Sequence, residues 1–402
     1  MSDIAHVVIV GGGLAGVSTA AALRSAGYDG VLHLVDAGEF PYDRPPLSKD
    51  FLLGSKDLKR IALQPEEWYA DQDIRLITRT RVTAIDDGSV TLSDGGVLTA
   101  DRVILAPGGD AARPPIPGAD GPRVHVLRDA EDAERLGAAL VPGARVLVVG
   151  GGLIGAETAS TARALGCDVV LAEPATPLEA AVGPVMARWL HAMHPARGIT
   201  TLTARVLAFQ DGPDGIAARL EGENTPRLFD AVVIGVGLVP RTGLAKAAGL
   251  EVNAGIVVTE GQTTANPAIL AVGDSARRRV DGLLRPCAGH WEAAQQDGKR
   301  AAATILGRPL PPESASWWWS DRHGVHVEAV GSMAAADTTV MRGEPEPSFA
   351  VFGLRGGRVV AAASVDDPAA VRAARRLIDR AVEVDAAALA DPATDPRRLL
   401  RR

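Results

Sequence analysis

Apolar and small residues follow the same order at two places in the chain. Residues 7–10 (VVIV) and 146–149 (VLVV) are unbroken apolar runs, and each is followed directly by three glycines. Such a short run predicts a strand buried on both faces, as in a parallel sheet. An alanine-rich stretch then predicts a helix, and a second apolar run, ending at Asp36 or Glu173, predicts a second strand.

The turn between strand and helix has the spacing G-x-G-x-x-G in both copies. The glycines are Gly11, Gly13 and Gly16 in the first copy and Gly150, Gly152 and Gly155 in the second. The first glycine allows a tight turn, the second lets the backbone approach a pyrophosphate, and the third lets the helix pack closely on the strand. The helix N-terminus favours phosphate, and the acid that ends the second strand accepts hydrogen bonds from a ribose. Each copy therefore predicts a dinucleotide site, with FAD in the first and a nicotinamide dinucleotide in the second.

The second copy also predicts which nicotinamide cofactor binds. Its last strand ends at Glu173, and Pro174 and Ala175 follow. Because no Arg or Lys stands there to bind a 2′-phosphate, the segment favours NADH over NADPH.

Composition and charge exclude several other classes of protein. The net charge of −7 argues against general nucleic-acid binding, and no apolar run reaches the roughly 18 residues that a membrane span needs. The first residues lead into a strand without a basic segment, so no signal peptide is predicted. The two cysteines of the sequence, Cys167 and Cys287, predict neither a disulfide framework nor a metal site, and they favour a reducing cytoplasm.

Further motifs extend the pattern along essentially the whole chain. They are PYDRPPLSK (41–49), ILAPGG (104–109), VLRDAEDA (126–133), AVGD (271–274), WWWSD (317–321) and ALADPATDPRRL (388–399). Together with the glycine repeats, they resemble the FAD-dependent, NADH-using ferredoxin reductases of bacterial oxygenase systems. The reductase components of biphenyl and toluene dioxygenases and putidaredoxin reductase are similar in pattern.

The resemblance implies a glutathione-reductase-like α/β fold, with two Rossmann-like dinucleotide-binding domains and a C-terminal α+β domain. Residues 1–111 and 238–316 are expected to form a discontinuous FAD-binding domain. Residues 112–237 are expected to form the NADH-binding domain, and residues 317–402 the C-terminal domain.

The resemblance also assigns residues to the FAD site. Lys49 is expected to reach the flavin ring, Arg44 the phosphates and Asp274 the ribityl chain. The full set is Gly11, Gly13, Ala15, Gly16, Asp36, Arg44, Lys49, Val82, Ala106, Gly108, Arg128, Gly273, Asp274 and Trp291.

The nicotinamide site has its own set of implied residues. They are Gly150, Gly152, Ile154, Gly155, Glu157, Glu173, Gly235 and Gly237. Glu157 is expected to lie near the nicotinamide and to form an ion pair with Lys49 beside the flavin. The alternative is that Glu157 is simply an acid in the first turn of a helix, where the helix dipole stabilises it.

Some positions depart from the family pattern. Pro107 stands where the family usually has a threonine in an A-T-G segment. Gly289 and His290 precede Trp291, where the family usually has a glutamate two residues before that position. We interpret His290 as a structural histidine rather than as a proton donor.

The implied activity is electron transfer. NADH passes a hydride to FAD, and electrons then leave one at a time to a [2Fe–2S] ferredoxin that serves a Rieske dioxygenase or a cytochrome P450. Lys49, Glu157 and Trp319 are the residues assigned to this chemistry. Disulfide-reductase or peroxidase chemistry needs a cysteine against the flavin, and PYDRPPLSK contains none.

Other functions stay open on the same fold. They are a rubredoxin or quinone reductase, a nitrite-reductase flavin module and a redox-regulated interaction protein. Binding to membranes or nucleic acid is not expected, and the sequence leaves monomer and homodimer open.

An acidic ferredoxin would dock on a basic surface of this acidic chain. Residues 277–279, all arginine, closely follow Asp274 and form one candidate surface. Arg372, Arg375 and Arg376 form a second. A solvated run of charge is the alternative interpretation of both.

The segment SWWWSD (316–321) contains half of the six tryptophans of the chain. Read as a strand, it directs Trp317 and Trp319 to one side and Trp318 to the other. The resemblance places Trp319 against the isoalloxazine ring. Trp318 is expected to pack on the C-terminal sheet or to help form the acceptor surface.

Overall fold

The computed structural model describes residues 4–287, 289–345 and 348–401. Its contacts divide the chain into two compact units, each built from separate stretches of sequence. The first unit comprises Met1–Arg44, Lys56–Asp110 and Leu238–Pro312, and the second comprises Pro45–Ser55, Ala111–Gly237 and Glu313–Arg402. The second unit thus contains the whole of the predicted NADH-binding segment and of the predicted C-terminal segment, and the division into three domains stays a prediction.

The strands follow one another along the whole described chain. The first thirteen are β1 (His6–Val10), β2 (Val31–Val35), β3 (Ile74–Ile77), β4 (Val82–Asp86), β5 (Ser89–Leu92), β6 (Val97–Thr99), β7 (Arg102–Leu105), β8 (Gly109–Ala111), β9 (Val124–Val126), β10 (Arg145–Val149), β11 (Asp168–Ala172), β12 (Thr200–Leu202) and β13 (Val206–Gly212). The others are β14 (Gly215–Leu220), β15 (Arg227–Phe229), β16 (Ala231–Ile234), β17 (Leu238–Pro240), β18 (Ile256–Val258), β19 (Ile269–Ala271), β20 (Ala276–Val280), β21 (Leu283–Leu284), β22 (Trp317–Arg322), β23 (Val325–Gly331), β24 (Thr338–Gly343), β25 (Phe349–Arg355) and β26 (Arg358–Val365).

The α-helices alternate with these strands. They are α1 (Leu14–Ser25), α2 (Glu66–Asp71), α3 (Ala130–Ala139), α4 (Leu153–Ala164), α5 (Glu179–Ala196), α6 (Gly243–Ala247), α7 (Trp291–Ile305), α8 (Pro368–Asp379) and α9 (Ala386–Ala390). None of the helices in the described part of the chain combines the length and the apolar character that crossing a membrane requires.

A parallel sheet forms the centre of the first unit. Its strand order is β19-β7-β1-β2-β3, and the apolar runs of β1, β2 and β7 are buried on both faces. Helix α1 packs on this sheet and against α7. The two helices approach closely at Gly298, where a Cβ would lie 2.8 Å from Thr19 N. Two small sheets, β4-β5-β6 and β18-β20-β21, complete the unit.

A second parallel sheet, with the order β12-β11-β10-β16-β9, lies in the second unit. Strand β10, helix α4 and strand β11 repeat the arrangement of β1, α1 and β2. The antiparallel sheet β13-β14-β15 shares an apolar core with this parallel sheet. Both predicted strand–turn–helix–strand repeats are therefore present.

The C-terminal part of the second unit is a five-stranded antiparallel sheet with the order β22-β23-β26-β25-β24. Helix α8 packs on one face and α5 on the other, because strands buried on both faces need a cover on each side. The combination of two parallel sheets with this α+β region confirms the predicted fold class.

Strand β22 carries the three consecutive tryptophans. Trp318 is 5% exposed and lies in the apolar core with Val182 and Met186 of α5. The rings of Trp317 and Trp319 stack on each other on the opposite face, with centroids 5.1 Å apart and an angle of 25° between their planes. The predicted alternation of side chains along β22 is confirmed, and Trp318 packs in the core between the sheet and α5.

Alanine at Trp318 should destabilise the protein more than alanine at Trp319. Trp318→Ala removes a large ring from a closed core, which typically costs about 3–5 kcal/mol, whereas the Trp319 ring is only half-buried. Thermal and urea unfolding of the two variants measure the difference. Equal losses of stability would contradict the burial described here.

Candidate active site

The glycine turns are packed too tightly for a side chain at their first and third glycines. Gly11 has a φ of +112°, and a Cβ there would lie 2.2 Å from Ala106 O. A Cβ at Gly16 would lie 2.0 Å from Gly11 O, and in the second turn a Cβ at Gly155 would lie 1.9 Å from Gly150 O. These glycines are required by the fold itself.

The middle glycine of each turn has free space. A Cβ at Gly152 would meet no described atom within 4 Å, and at Gly13 the nearest atom would be Arg44 Nη1 at 3.6 Å. Their φ angles of −65° and −70° suit any residue. Packing within the protein does not call for glycine here, whereas the close approach of a pyrophosphate does. The N-termini of α1 and α4 therefore fit the phosphates of two dinucleotides.

The two acids that end the second strands lie against their turns. A Cβ at Gly12 would lie 2.8 Å from the Asp36 carboxylate. Glu173 Oε2 accepts a hydrogen bond from Gly151 N at 2.8 Å, and its Oε1 accepts one from Ala175 N at 3.3 Å. Both carboxylates thus occupy the place beside the turn at which a ribose is expected.

The other predicted nicotinamide residues lie in the second unit. Gly235 N donates a hydrogen bond to Val149 O at 2.8 Å, and a Cβ at Gly235 would lie 3.3 Å from Gly155 Cα. Gly237 has a φ of +129°, and Ile154 on α4 is exposed. Gly235 therefore lies directly beside the second glycine turn.

The segment after β19 approaches the first glycine turn. Gly273 has a φ of +69°, and a Cβ there would lie 2.7 Å from Ala15 Cβ. Gly273 N donates a hydrogen bond to Asp297 Oδ2 at 3.1 Å, and burial raises the pKa of Asp297 to about 6. Cys287 has its Sγ 3.4 Å from Asp274 O.

Other residues predicted to bind FAD make contacts with protein groups. Trp291 Nε1 donates a hydrogen bond to Asp43 Oδ1 at 2.9 Å. Arg128 N donates one to Asp132 Oδ2 at 3.0 Å, just before α3, and Val82 begins β4. These three residues therefore lie in elements other than the glycine turn, and their role toward FAD stays a prediction.

His290 and Gly108 are two further residues of the segments that the sequence placed near the flavin. Burial lowers the pKa of His290, and the charge of Asp274 partly offsets this effect. Gly108 has a φ of +67°, and its carbonyl accepts a hydrogen bond from Arg241 N at 2.9 Å. A neutral, half-buried imidazole agrees with a structural role for His290.

A buried carboxylate anchors an ion-pair cluster in the second unit. Glu157, in the second turn of α4, is 3% exposed. It accepts hydrogen bonds from Ser48 Oγ at 2.5 Å and from Ser320 Oγ at 2.6 Å. Lys49 Nζ lies 3.3 Å from Glu157 Oε1, so the ion pair predicted from the sequence is present.

Lys49 also contacts strand β22. Its Nζ lies 3.3 Å from Asp321 Oδ2 and 5.8 Å from the centroid of the Trp319 ring. Burial raises the pKa of Asp321, but the hydrogen bond with His326 and the charge of Lys49 outweigh burial, so the pKa lies below its ordinary value. The cluster thus brings Lys49, Glu157 and Trp319 together.

Sequence reasoning assigned no role to several members of this cluster. Ser48 and Ser320 stand next to predicted site residues in LSK and WSD, but their hydroxyl contacts depend on side-chain directions that the sequence does not show. Arg322 Nη2 donates to Ser320 Oγ at 3.0 Å. Burial lowers the pKa of Arg322 to about 10, against the raising effect of Glu157 and Asp321.

The cluster holds an ammonium group in a fixed position beside an indole ring. Two carboxylates and two hydroxyls orient the groups around Lys49, so little reorganisation is needed when charge changes nearby. Such a preorganised cation stabilises negative charge that develops on a bound group.

Replacement by alanine should have different effects at the third glycine and at the middle glycine of the second turn. Gly155→Ala places a Cβ 1.9 Å from a backbone oxygen and should lower the melting temperature or prevent folding. Gly152→Ala should fold normally but bind NADH at least about tenfold more weakly, because its methyl group blocks the pyrophosphate. Thermal unfolding and fluorescence titration with NADH separate the two effects. Unchanged NADH affinity in Gly152→Ala would contradict the assignment of the second turn.

Two family models match the chain. Residues 5–298 match the pyridine nucleotide-disulphide oxidoreductases, and residues 317–400 match the reductase C-terminal domain. The chain is 38% identical over 397 residues to the anthranilate 1,2-dioxygenase system ferredoxin–NAD(+) reductase component of Burkholderia cepacia, covering 96% of this chain and 97% of the relative. It is 36% identical over 412 residues to putidaredoxin reductase of Pseudomonas putida, covering 98% and 96%.

Solved structures agree with these matches. The covalent putidaredoxin reductase–putidaredoxin complex matches with a TM-score of 0.91 and 33% identity over 98% of both chains. The ferredoxin reductase for the CYP199A2 system of Rhodopseudomonas palustris matches with a TM-score of 0.92 and 32% identity, also over 98% of both chains. The chain therefore belongs to the pyridine nucleotide-disulphide oxidoreductases and, among them, to the ferredoxin reductase family of bacterial oxygenase systems that its sequence motifs indicated.

Proposed function

We propose that this chain is an FAD-dependent NADH:ferredoxin oxidoreductase, whose electron acceptor is a [2Fe–2S] ferredoxin that serves a Rieske dioxygenase or a cytochrome P450. Bound FAD supplies the chemistry, since it accepts a hydride and returns two electrons singly. The observation that carries the proposal is the free space at Gly13 and Gly152, which the fold leaves at two separate helix N-termini. The names of the two relatives, a reductase component of a dioxygenase system and putidaredoxin reductase, support the same assignment.

The first glycine turn is proposed to hold FAD. Its pyrophosphate would lie at the N-terminus of α1, with the Arg44 guanidinium close to Gly13. Asp36 would accept hydrogen bonds from the ribose, and Gly273 and Asp274 would bind the ribityl chain. The tight contact of Gly273 with Ala15 supports this placement, because it brings the ribityl segment to the turn.

The second glycine turn is proposed to hold NADH. Gly152 and the N-terminus of α4 would face the pyrophosphate, and Glu173 would accept hydrogen bonds from the adenosine ribose. Glu173 already accepts two backbone N–H groups, so its carboxylate is fixed in place before a ligand arrives. Its negative charge repels a 2′-phosphate, which supports the preference for NADH.

Lys49, Glu157 and Trp319 are proposed to act by position and charge. Trp319 offers a flat surface for the isoalloxazine ring, and Lys49 places its ammonium group near the edge of that ring. Glu157 keeps Lys49 in this position through the ion pair. None of the three must exchange a proton with substrate, because alignment is the main requirement for hydride transfer.

The ferredoxin is proposed to dock on basic residues of α8. Arg376 lines a surface recess together with Arg380, Arg397 and Arg398. Each candidate surface contains one ion pair, since Arg397 of the recess pairs with Asp395 at 2.8 Å and Arg279 of β20 pairs with Glu251 at 2.7 Å. The recess near α8 has three further arginines, whereas residues 277–279 have two. An acidic ferredoxin in the cytoplasm would therefore find its strongest complementary charge near α8.

Stopped-flow reduction by NADH, followed by addition of ferredoxins, tests the proposed function. NADH should bleach the flavin absorbance of the holoprotein, and at least one [2Fe–2S] ferredoxin should then become reduced, more slowly as salt is added. A yellow protein that reduces none of a broad panel of ferredoxins would overturn the proposal. Transfer to rubredoxin or a quinone instead would support those alternatives.

Replacing Glu173 should weaken the preference for NADH over NADPH. Glu173→Ala removes the charge that repels a 2′-phosphate, so the ratio of kcat/KM for the two cofactors should fall about tenfold or more. Glu179→Ala, which removes an exposed acid at the start of α5, is the matched control. Equal use of NADPH and NADH by the unmodified protein would refute the role of Glu173.

A further inference from the structure

His326 on strand β23 is held between two carboxylates. Its Nδ1 lies 2.6 Å from Asp321 Oδ1, and its Nε2 lies 3.1 Å from Glu328 Oε1. Asp321 is its direct cross-strand neighbour, and Glu328 is the neighbour of Trp319, so these four side chains share one face of the hairpin. The imidazole is 38% exposed, so it can exchange protons with solvent.

Both ring nitrogens of His326 face hydrogen-bond acceptors. A neutral imidazole has one N–H and one lone pair, and a lone pair is repelled by a carboxylate oxygen. The two contacts with carboxylates need an N–H at both ring nitrogens, whereas a neutral imidazole has an N–H at only one. The arrangement therefore requires one extra proton. The second oxygen of Glu328, Oε2, is buried and has no hydrogen-bond partner among the described residues, so His326 is the principal compensation for this carboxylate.

The electrostatic surroundings of His326 agree with an extra proton. Burial lowers the pKa of His326, but the hydrogen bonds with Asp321 and Glu328 outweigh burial, so the pKa lies above its ordinary value. A third acid, Asp366, precedes α8, and its Oδ1 accepts the backbone N–H of His326 at 2.9 Å. The charged groups that face His326 from β22, from β23 and from the segment before α8 are thus all acidic.

Asp321 contacts both His326, which carries the extra proton, and Lys49. Its Oδ1 faces His326, and its Oδ2 faces Lys49 Nζ at 3.3 Å. Lys49 divides its charge between Asp321 and Glu157, at the same distance from each. A change of charge at His326 must therefore change how strongly Asp321 holds Lys49.

The cluster carries a net negative charge that the extra proton reduces. Two cations stand against four carboxylates in the set Lys49, Arg322, Glu157, Asp321, Glu328 and Asp366. A neutral imidazole leaves two net negative charges, and an imidazolium leaves one. His326 is thus the titratable group that sets the net charge around Lys49.

We propose that His326 is a positioning residue whose proton is linked to the redox state of the bound flavin. The inference rests on the proposed function, because it needs Lys49 to lie against the flavin. A hydride transferred to the flavin would add one negative charge beside Lys49, whose fixed ammonium group would then compensate this charge as well as those of Asp321 and Glu157. Asp321, with less compensation from Lys49, holds the proton of His326 more firmly.

Atoms and charges balance over the full reaction. At a pH at which His326 has lost its extra proton beside the oxidised flavin, NADH would give up a hydride and leave as NAD⁺, while His326 would take one proton from solvent. Two ferredoxins then accept one electron each, the hydrogen that arrived as a hydride leaves as a proton, and His326 returns its own proton. Because linkage is reciprocal, protonation of His326 favours flavin reduction by the same free energy by which reduction favours protonation.

The linkage operates in a defined pH range. Because the hydrogen bonds with Asp321 and Glu328 raise the pKa of His326 above its ordinary value, the range begins above that ordinary value. Far below it, His326 keeps its proton in both redox states, and at high pH it holds the proton in neither. Proton uptake by His326 should therefore pass through a maximum between the pKa values of the two states.

Proton uptake during anaerobic reduction tests the proposal. Holoprotein is reduced with NADH in weakly buffered solution with a pH-indicator dye, at several values between about pH 6 and about pH 9. The wild-type protein should take up more protons per flavin than His326→Gln within the range defined above. His125→Gln, which removes a half-buried histidine of β9, is the control and should match the wild type.

The outcomes distinguish this inference from the proposed function. If NADH reduces the flavin but wild type and His326→Gln take up equal numbers of protons at every pH, the inference is wrong and the proposed function stands. If NADH does not reduce the flavin, both this inference and the proposed function are wrong.

Glu328→Gln provides a second test with little change in shape. It removes one of the two carboxylates that raise the pKa of His326, so the maximum of proton uptake should shift to lower pH. A maximum at the wild-type pH would overturn the assignment of the proton to the His326–Glu328 contact.

Discussion

The buried carboxylate of Glu157 is the constraint on which the candidate active site depends. An ionised carboxylate removed from water costs several kcal/mol unless charge and hydrogen bonds compensate it. Compensation comes from Ser48 and Lys49 in one segment and from Ser320 on β22. If one of these groups is removed, the buried Glu157 carboxylate loses part of its compensation. The three segments are therefore held together by the need to compensate the charge of Glu157.

Two features of the chain could be predicted from the sequence because they are local. Apolar runs with glycine spacing identified both strand–turn–helix–strand repeats, and a period of two identified the alternation of Trp317, Trp318 and Trp319. The face of β22 that is buried could not be identified in this way, since it depends on how α5 covers the sheet. The sequence therefore allowed Trp318 either to pack on the C-terminal sheet or to help form the acceptor surface. Only tertiary packing decides between these two positions.

The candidate site was predicted less completely than the fold. Resemblance identified Lys49 and Glu157, which are 108 positions apart in the sequence, as partners. The hydroxyls around them and the contact between Asp321 and His326 depend on strand register, which no short motif specifies. The different roles predicted for the three glycines of each turn agree with the packing: the fold requires the first and the third, and at the middle one only a ligand gives a reason for glycine.

The segments that meet at Glu157 lie far apart along the chain. Ser48 is 109 residues before Glu157, and Ser320 is 163 residues after it. On the ribosome, the segment with Lys49 emerges first and must wait for α4, and both must wait for β22 to leave the exit tunnel. The two units also alternate in sequence, so neither can finish folding before the other has largely been synthesised. The active site therefore cannot be completed before β22 is synthesised, and nascent chains that stall before this point would depend on chaperones.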